Sequence, residues 1–292
     1  MANEPKSNEA VIVQSESMQT ESEPTVPLSH LDEDDPDEEY SMNHEKRGIA
    51  IVINQERFND DKNPTRHGTN KDRDDVCAVL EKLQFKEENV YVLNDFTKLQ
   101  LFKKLDEISK LDHTNHDCLV VVVMTHGYPD KLCAKDGAYD IDKLWNKFTG
   151  DSCKTLDGKP KLFFIQACRG KKFDDGVKIV EDTVDATVKQ PASYFTFLPT
   201  EPDILVMFST YDGHYSWRNP ANGSWFIQSL CAMLNSHGQD KELLRILTAV
   251  SENVAYNYIS HVEDPSMEEF NEKKQMPTII SMLTKAVYFR PK

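Results

Sequence analysis

The sequence predicts an α/β fold with a mostly parallel central sheet and helices on both faces of that sheet. Continuous apolar runs of strand length recur along the chain, as expected of strands that are covered on both faces. Segments with apolar residues at helical spacing alternate with these runs, and this alternation is typical of a parallel sheet. The chain has 292 residues and is therefore long enough to bury a large core.

The first half of the chain alternates between the two patterns. Continuous apolar runs predict strands at 48–53, 89–93, 118–124 and 161–167. Apolar residues three or four positions apart predict helices between these strands. These residues are Val76, Val79, Leu80 and Leu83 for the first helix, Leu99, Phe102, Leu105 and Ile108 for the second, and the segment 141–148 for a short third helix.

The second half begins with an aperiodic segment. Residues 171–193 are mainly Lys, Asp, Thr and Val, and a gap of this length is either functional or disordered. We expect it to be a mobile linker. Regular patterns then return and predict a strand at 204–208, helices at 225–234 and 243–258, and strands at 278–283 and 287–289.

Charge is concentrated at the N-terminus. Residues 1–45 hold 13 acidic residues and one basic residue, Lys6, and account for most of the net charge of −15. This segment has few aromatic residues, and we expect it to be disordered. The remaining chain is nearly balanced in charge and lacks a basic patch, so nucleic acid is not an expected partner.

The sequence predicts a reduced, cytoplasmic protein. It has no apolar stretch long enough to cross a membrane and no secretory signal at its N-terminus. Its six cysteines show neither a CxxC pair nor metal-ligand spacing, so we expect free thiols, no metal and no cofactor.

Two reactive side chains follow predicted strands. Cys168 lies in the pentapeptide QACRG at 166–170, and His126 follows the run 118–124. Parallel sheets gather ligand groups beyond the carboxyl ends of their strands, so Cys168 and His126 can meet although they are distant in sequence. A catalytic cysteine needs such a neighbouring acid or base.

The pentapeptide QACRG, with a histidine upstream, is the known nucleophile signature of caspases. The chain resembles this family over residues 45–292, in particular its executioner members, and we expect an invertebrate member. Segments 223–230 and 280–284 match executioners as well. The resemblance implies the caspase fold, with six main strands divided between a large and a small subunit from one chain. It also implies a cysteine endopeptidase that cleaves after aspartate.

The same resemblance implies the catalytic roles. Cys168 would be the nucleophile and His126 the general acid–base, and the backbone N–H groups of Gly127 and Cys168 would form the oxyanion hole. Glycine suits position 127, because a close approach to a substrate carbonyl leaves no room for a side chain. The backbone carbonyl near Pro64 matches the usual candidate for a third catalytic group.

The resemblance further implies a pocket for aspartate, formed by Arg66, Gln166 and Arg218. The other residues at matching substrate positions are Tyr215, Ser216, Trp217, Asn219, Trp225 and Phe270. Asn219 and Trp225 match positions that select an aspartate three residues upstream, which gives an Asp-x-x-Asp preference. Trp225 could instead belong to the core. Pro220 departs from the family pattern and lacks an N–H group, so this distal selectivity is expected to be looser.

Activation is expected to occur in the linker. Residues 1–44 would be an acidic disordered propeptide, 45–182 the large subunit and 183–292 the small subunit. Asp182 resembles a site cut by an upstream initiator caspase, and Asp185 one cut by the mature enzyme. The new N-terminus at Ala186 would resemble tetrapeptides captured by inhibitor-of-apoptosis proteins. Further cuts are possible at Asp32, Asp34 or Asp37, and the mature protein is expected to be a homodimer of cleaved heterodimers.

Two other interpretations agree less well with the sequence. A catalytically silent caspase homologue, acting as a decoy or scaffold, would not need Cys168, His126 or the two pocket arginines, which are all present. A papain-like protease would place its cysteine near the mature N-terminus and its histidine downstream, which is the opposite order.

Overall fold

The computed structural model describes residues 38–176, 202–262 and 265–292. Its helices are α1 (Thr69–Lys82), α2 (Lys98–Ser109), α3 (Trp225–His237) and α4 (Leu243–Asn257). Its strands are β1 (Lys46–Asn54), β2 (Val90–Asn94), β3 (His116–Met124), β4 (Gly127–Tyr128), β5 (Lys131–Ala134), β6 (Gly137–Asp140), β7 (Lys161–Gln166), β8 (Gly170–Lys172), β9 (Ile204–Phe208), β10 (Gly213–His214), β11 (Arg218–Asn219), β12 (Gly223–Ser224) and β13 (Thr278–Ser281).

A six-stranded sheet forms the centre, in the order β13–β9–β7–β3–β1–β2. All neighbouring strands are parallel except β13 and β9, which are antiparallel. The predicted mostly parallel α/β sheet is therefore confirmed. Met124 at the end of β3 pairs with Asn54 of β1 and with Gln166 of β7, so these three strands end at the same level. That common edge carries the candidate site.

Helices cover both faces of the sheet, as predicted. Alternate residues of each buried strand point to opposite faces, so the strands supply two separate apolar layers. Val120 and Val122 of β3 pack with residues of α1, α3 and α4, whereas Val121 and Val123 pack with residues of α2. Within the described ranges, no helix has both the length and the apolar character needed to span a bilayer.

Two predicted elements differ in the structure. Residues 287–289 are not a strand, although Val287 and Phe289 are buried. Among the described residues this segment pairs with no strand, and its backbone contacts a helix instead: the carbonyl of Val287 accepts from the N–H of Leu243 at the start of α4. The predicted helix at 141–148 is one 3₁₀ turn, Ile141–Leu144, followed by irregular turns.

The acidic segment ends in ordered structure. Residues 38–43 lie within the segment that the sequence suggested to be disordered, yet they contact the folded core. The N–H of Tyr40 donates to the carbonyl of Ala286 at 2.9 Å, and its hydroxyl donates to Asp203 at 2.7 Å. Tyr40 and Met42 are buried in the core, and this apolar burial explains why the segment packs there.

Candidate active site

A turn after β7 carries Cys168. The preceding residue, Ala167, is held through its backbone, because the hydroxyl of Ser209 lies 3.3 Å from its N–H and 3.1 Å from its carbonyl oxygen. On the other side, the N–H of Arg169 donates to the carbonyl of His214 at 3.0 Å. The half-buried Cys168 is therefore fixed between two backbone anchors, with its Sγ 3.5 Å from the N–H nitrogen of Ser216.

One open cavity of about 210 Å³ adjoins this turn. Thr125 donates its N–H to the carbonyl of Gln166 at 3.0 Å, which brings the ends of β3 and β7 together at the cavity. The residues predicted from sequence that line it are His126, Cys168, Arg66, Gln166, Tyr215, Ser216, Trp217, Arg218 and Phe270. Three predicted residues do not line it, namely Gly127, Asn219 and Trp225.

His126 is held in one tautomer. Its Nε2 lies 2.8 Å from the carbonyl oxygen of Pro64, and its ring packs against Phe58 at a centroid distance of 4.9 Å. A carbonyl oxygen can only accept, so Nε2 carries the proton and Nδ1 has a free lone pair. Burial lowers the pKa of His126 to about 4, and the charges of Arg66 and Arg218 act in the same direction. The imidazole is therefore a neutral base at neutral pH.

The thiol of Cys168 is also neutral at rest. Burial raises its pKa, and this effect is opposed by the N–H group of Ser216 and by the charges of Arg66 and Arg218. The resting site thus contains a thiol and an imidazole rather than an ion pair. Such a pair can transfer the thiol proton to the ring when a substrate carbonyl is attacked.

Gly127 is required by the turn that carries Cys168. A Cβ at this position would lie 2.3 Å from the carbonyl oxygen of Cys168 and 3.0 Å from the Cβ of Ala167. Any larger residue would therefore push apart the two segments that carry His126 and Cys168. The sequence interpretation explained this glycine by the approach of a substrate, whereas the contact lies within the protein.

Two arginines face the cavity without an acidic partner. Arg66 is 1% exposed and donates from Nη1 to the carbonyl of Gln55 and to Thr69, but its Nε has no hydrogen-bond partner within the described residues. Burial and the nearby charge of Arg218 lower the pKa of Arg66 to about 9. No carboxylate of the described residues lies within ion-pair distance of Arg66 or Arg218. An anion entering the cavity would relieve this repulsion.

Gln166 adds a third unsatisfied group. Its Nε2 donates to the hydroxyl of Ser216 at 2.8 Å, whereas its buried Oε1 has no partner in the described part of the chain. The negative charge of Asp72 acts to raise the pKa of both arginines, but its carboxylate oxygens already accept hydrogen bonds from Ser224 and Gln228. The cavity therefore offers positive charge without an ion-pair partner beside an amide whose oxygen has no hydrogen-bond partner among the described residues.

An aromatic cluster borders the arginines, and one member was missed from the sequence. The ring of Phe173 stacks on Tyr215 at 4.8 Å and lies 5.0 Å from Phe270. Phe173 belongs to the segment predicted as linker, but residues 170–176 lie along the site. The carbonyl of Lys172 accepts from the N–H of Tyr215 at 3.0 Å, and the carbonyl of Asp174 accepts from the N–H of Lys274 at 2.8 Å.

The two residues expected to contact the distal part of a substrate have structural partners. Trp225 is 8% exposed, and its ring lies between those of Trp217 and Tyr258 at 5.7 and 5.3 Å. The side chain of Asn219 accepts from the N–H groups of Ala221 and Asn222 and so shapes the turn that contains Pro220. Both residues therefore support the segment beside the cavity rather than line it.

An α/β sandwich with a thiol and a neutral imidazole in one cavity has the layout of a cysteine-type endopeptidase. The part of the chain that the structure describes contains no cluster of side chains suited to hold a metal. The family model named "Caspase domain" matches residues 47–288, and the chain belongs to the caspase family. It is accordingly a cysteine-type endopeptidase.

Individual relatives agree with this assignment. Caspase-7 of Gallus gallus is 42% identical over 255 residues, covering 87% of this chain and 81% of the relative. Caspase-1 of Spodoptera frugiperda is 41% identical, covering 87% and 82%. The crystal structure of caspase-1 from Spodoptera frugiperda aligns with a TM-score of 0.78 at 40% identity, covering 89% of this chain and 96% of that one. The caspase fold and the resemblance to executioner and insect members are therefore confirmed.

Proposed function

We propose that this caspase cleaves peptide bonds after aspartate, with an Asp-x-x-Asp preference, and executes apoptosis in the cytoplasm. One observation carries the specificity: Arg66 is buried and incompletely bonded beside Arg218, and no carboxylate of the described residues lies within ion-pair distance of either of them. A planar guanidinium presents paired donors that match a carboxylate. Arg66 and Arg218 would bind the aspartate carboxylate, and the second N–H of the Gln166 Nε2 would donate to it as well, since the Gln166 Oε1 can only accept.

The proposed reaction uses the neutral pair. His126 takes the Cys168 proton on Nδ1 while Sγ attacks the carbonyl carbon of the scissile bond. The N–H groups of Gly127 and Cys168 stabilise the oxyanion, and the protonated ring then gives its proton to the departing amine. Water, deprotonated by His126, hydrolyses the resulting thioester and restores the thiol. The Pro64 carbonyl keeps Nε2 protonated throughout, so that Nδ1 remains the atom that moves the proton.

The residues upstream of the aspartate would lie along the segment 215–219. Tyr215, Trp217 and Phe270 offer apolar surface next to the arginine pocket. Asn219 and Trp225 would act on the distal aspartate through the turn and the aromatic stack that they support. Pro220 contributes no N–H group to that turn, so we propose a looser selectivity there.

Peptides that differ only in the charge of the terminal residue test this specificity. We expect a fluorogenic Asp-Glu-Val-Asp peptide to be hydrolysed about 10³-fold faster, in kcat/KM, than the same peptide ending in asparagine, because the amide leaves the arginines unneutralised. Equal rates for both peptides would refute aspartate specificity. Absence of turnover of both by a processed dimer would favour the decoy interpretation.

The zymogen part of the proposal concerns Asp182 and Asp185, which lie outside the described residues. We expect the double variant Asp182→Ala, Asp185→Ala to remain uncut when an initiator caspase is added. Its peptide-cleaving activity after this treatment should be lower than that of the wild type by a factor of about 10 or more. Band patterns on a denaturing gel and hydrolysis rates measure this together. Normal maturation of the double variant would exclude these two residues as the activation sites.

The same proposal includes the assembly and the other partners. The strand β13 lies at an edge of the sheet with its residues half-buried or exposed, and an uncovered edge favours pairing with another strand. We propose that it joins two cleaved heterodimers. Cuts at Asp32, Asp34 or Asp37 and capture of Ala186 by inhibitor-of-apoptosis proteins would regulate the enzyme further.

A further inference from the structure

Gln275 is a buried amide that bridges two parts of the site. It lies just before β13 and is 1% exposed. Its Oε1 accepts from the N–H of Trp217 at 2.6 Å, and its Nε2 donates to the carbonyl oxygen of Ser209 at 2.7 Å. Both ends of the amide are therefore committed to the main chain.

Ser209 continues this connection to the nucleophile. It is fully buried after β9, and its N–H donates to the carbonyl of Ile165 in β7 at 2.9 Å. Its hydroxyl lies within hydrogen-bond distance of both backbone groups of Ala167, the residue before Cys168. A continuous chain of hydrogen bonds thus runs from the Trp217 backbone through Gln275 and Ser209 to the turn that carries Sγ.

Position 275 requires a side chain that both donates and accepts a hydrogen bond. One main-chain group to be satisfied is a donor and the other is an acceptor, and a carboxamide offers one oxygen and one NH₂ at its end. A carboxylate at the same length would direct an oxygen at the Ser209 carbonyl, which cannot donate. A protonated carboxylic acid would again supply one donor and one acceptor with the same shape.

We propose that Gln275 is a positioning residue that fixes the segment Tyr215–Arg218 at its distance from the turn of Cys168. Trp217 stands between Ser216, whose N–H faces Sγ, and Arg218, which faces the cavity. A shift of the Trp217 backbone would therefore move the thiol's hydrogen-bond partner and the pocket arginine together. The proposal deepens the proposed function and rests on it only in the part played by Arg218.

The variant Gln275→Glu gives this role a distinctive signature. Burial raises the pKa of a carboxyl group, so the new side chain becomes protonated as the pH is lowered and regains the donor that Ser209 needs. We expect kcat/KM, relative to wild type at each pH, to be reduced about 10- to 100-fold at about pH 8 and to recover towards about pH 5.5. For Gln275→Leu, kcat/KM relative to wild type should be reduced at every pH and should not recover at low pH.

Two controls separate positioning from general stability. Gln239→Glu alters another glutamine whose Nε2 donates to a main-chain carbonyl, that of Lys82, away from the cavity, and it should follow wild type at every pH. Thermal unfolding at each pH reports the folded fraction. A flat ratio for Gln275→Glu, or a loss explained by unfolded protein, would overturn the proposal. Failure of aspartate specificity would appear in wild type, as equal cleavage of the Asp and Asn peptides, and not in this ratio.

Discussion

Replacing Cys168 with alanine is expected to reduce peptide hydrolysis by about 10⁵-fold or more, because no other group in the cavity can form the thioester. The remaining machinery cannot compensate: His126 would still be a neutral base, but it would have no thiol proton to accept. Hydrolysis of the Asp-Glu-Val-Asp peptide under conditions of excess enzyme measures the loss. The fold should be unaffected, since the change removes one half-buried sulfur atom at a turn held by its backbone.

The comparison requires equally processed proteins. Both chains should be cut by the same activating protease, because a variant that cannot process itself would otherwise be inactive for a different reason. Cys77→Ala, which changes a partly exposed thiol on α1, serves as the matched control and should retain full activity. Substantial hydrolysis by the Cys168 variant would mean that another residue is the nucleophile.

Replacing Arg66 with glutamine is expected to lower kcat/KM for the aspartate peptide by about 10²- to 10³-fold. The side chain of Arg66 is buried, so its charge acts through a low-dielectric environment and is not screened by solvent. The informative quantity is the preference for the Asp peptide over the Asn peptide. That preference should collapse, because the substrate carboxylate would lose half of its positive partners.

Controls address the structural role of the same side chain, which also bonds Gln55 and Thr69. Arg66→Lys keeps a positive charge but loses the planar fork, so it should recover only part of the preference. Arg57→Gln removes an exposed arginine outside the cavity and should change neither rate nor preference. A large fall in the melting temperature of Arg66→Gln, with the Asp preference retained, would contradict the assigned role.

The sequence was most informative where a local pattern determines the structure. Apolar runs identified the sheet because a parallel strand covered on both faces has to be apolar throughout. The pentapeptide QACRG predicted Cys168 as the nucleophile, and the structure places most of the residues expected around it in one cavity. The strand predicted at 287–289 was wrong because burial against α4 and burial in a strand produce the same apolar pattern in the sequence.

The residues that the sequence did not reveal act through tertiary contacts. Gln275 has no local signature, since its two partners, Trp217 and Ser209, are more than fifty residues away in the chain. Phe173 lies in a segment without periodicity, and only its packing on Tyr215 shows that it belongs to the site. The reason for a glycine at 127 also needed coordinates, because the contact it permits is with another strand end.

The pairing of β7 with β9 has a consequence for a chain that has been cut between residues 176 and 202. The five residue pairs from Lys161 and Ile204 to Ile165 and Phe208 lie outside that interval, as does the contact of Ser209 with Ala167. A break there changes the connectivity and leaves this ladder in place, so the two pieces would migrate as one particle without denaturant. Once unfolded, however, they would have to find each other again. Renaturation of the nicked protein would be bimolecular and would depend on concentration, whereas that of the intact chain would not.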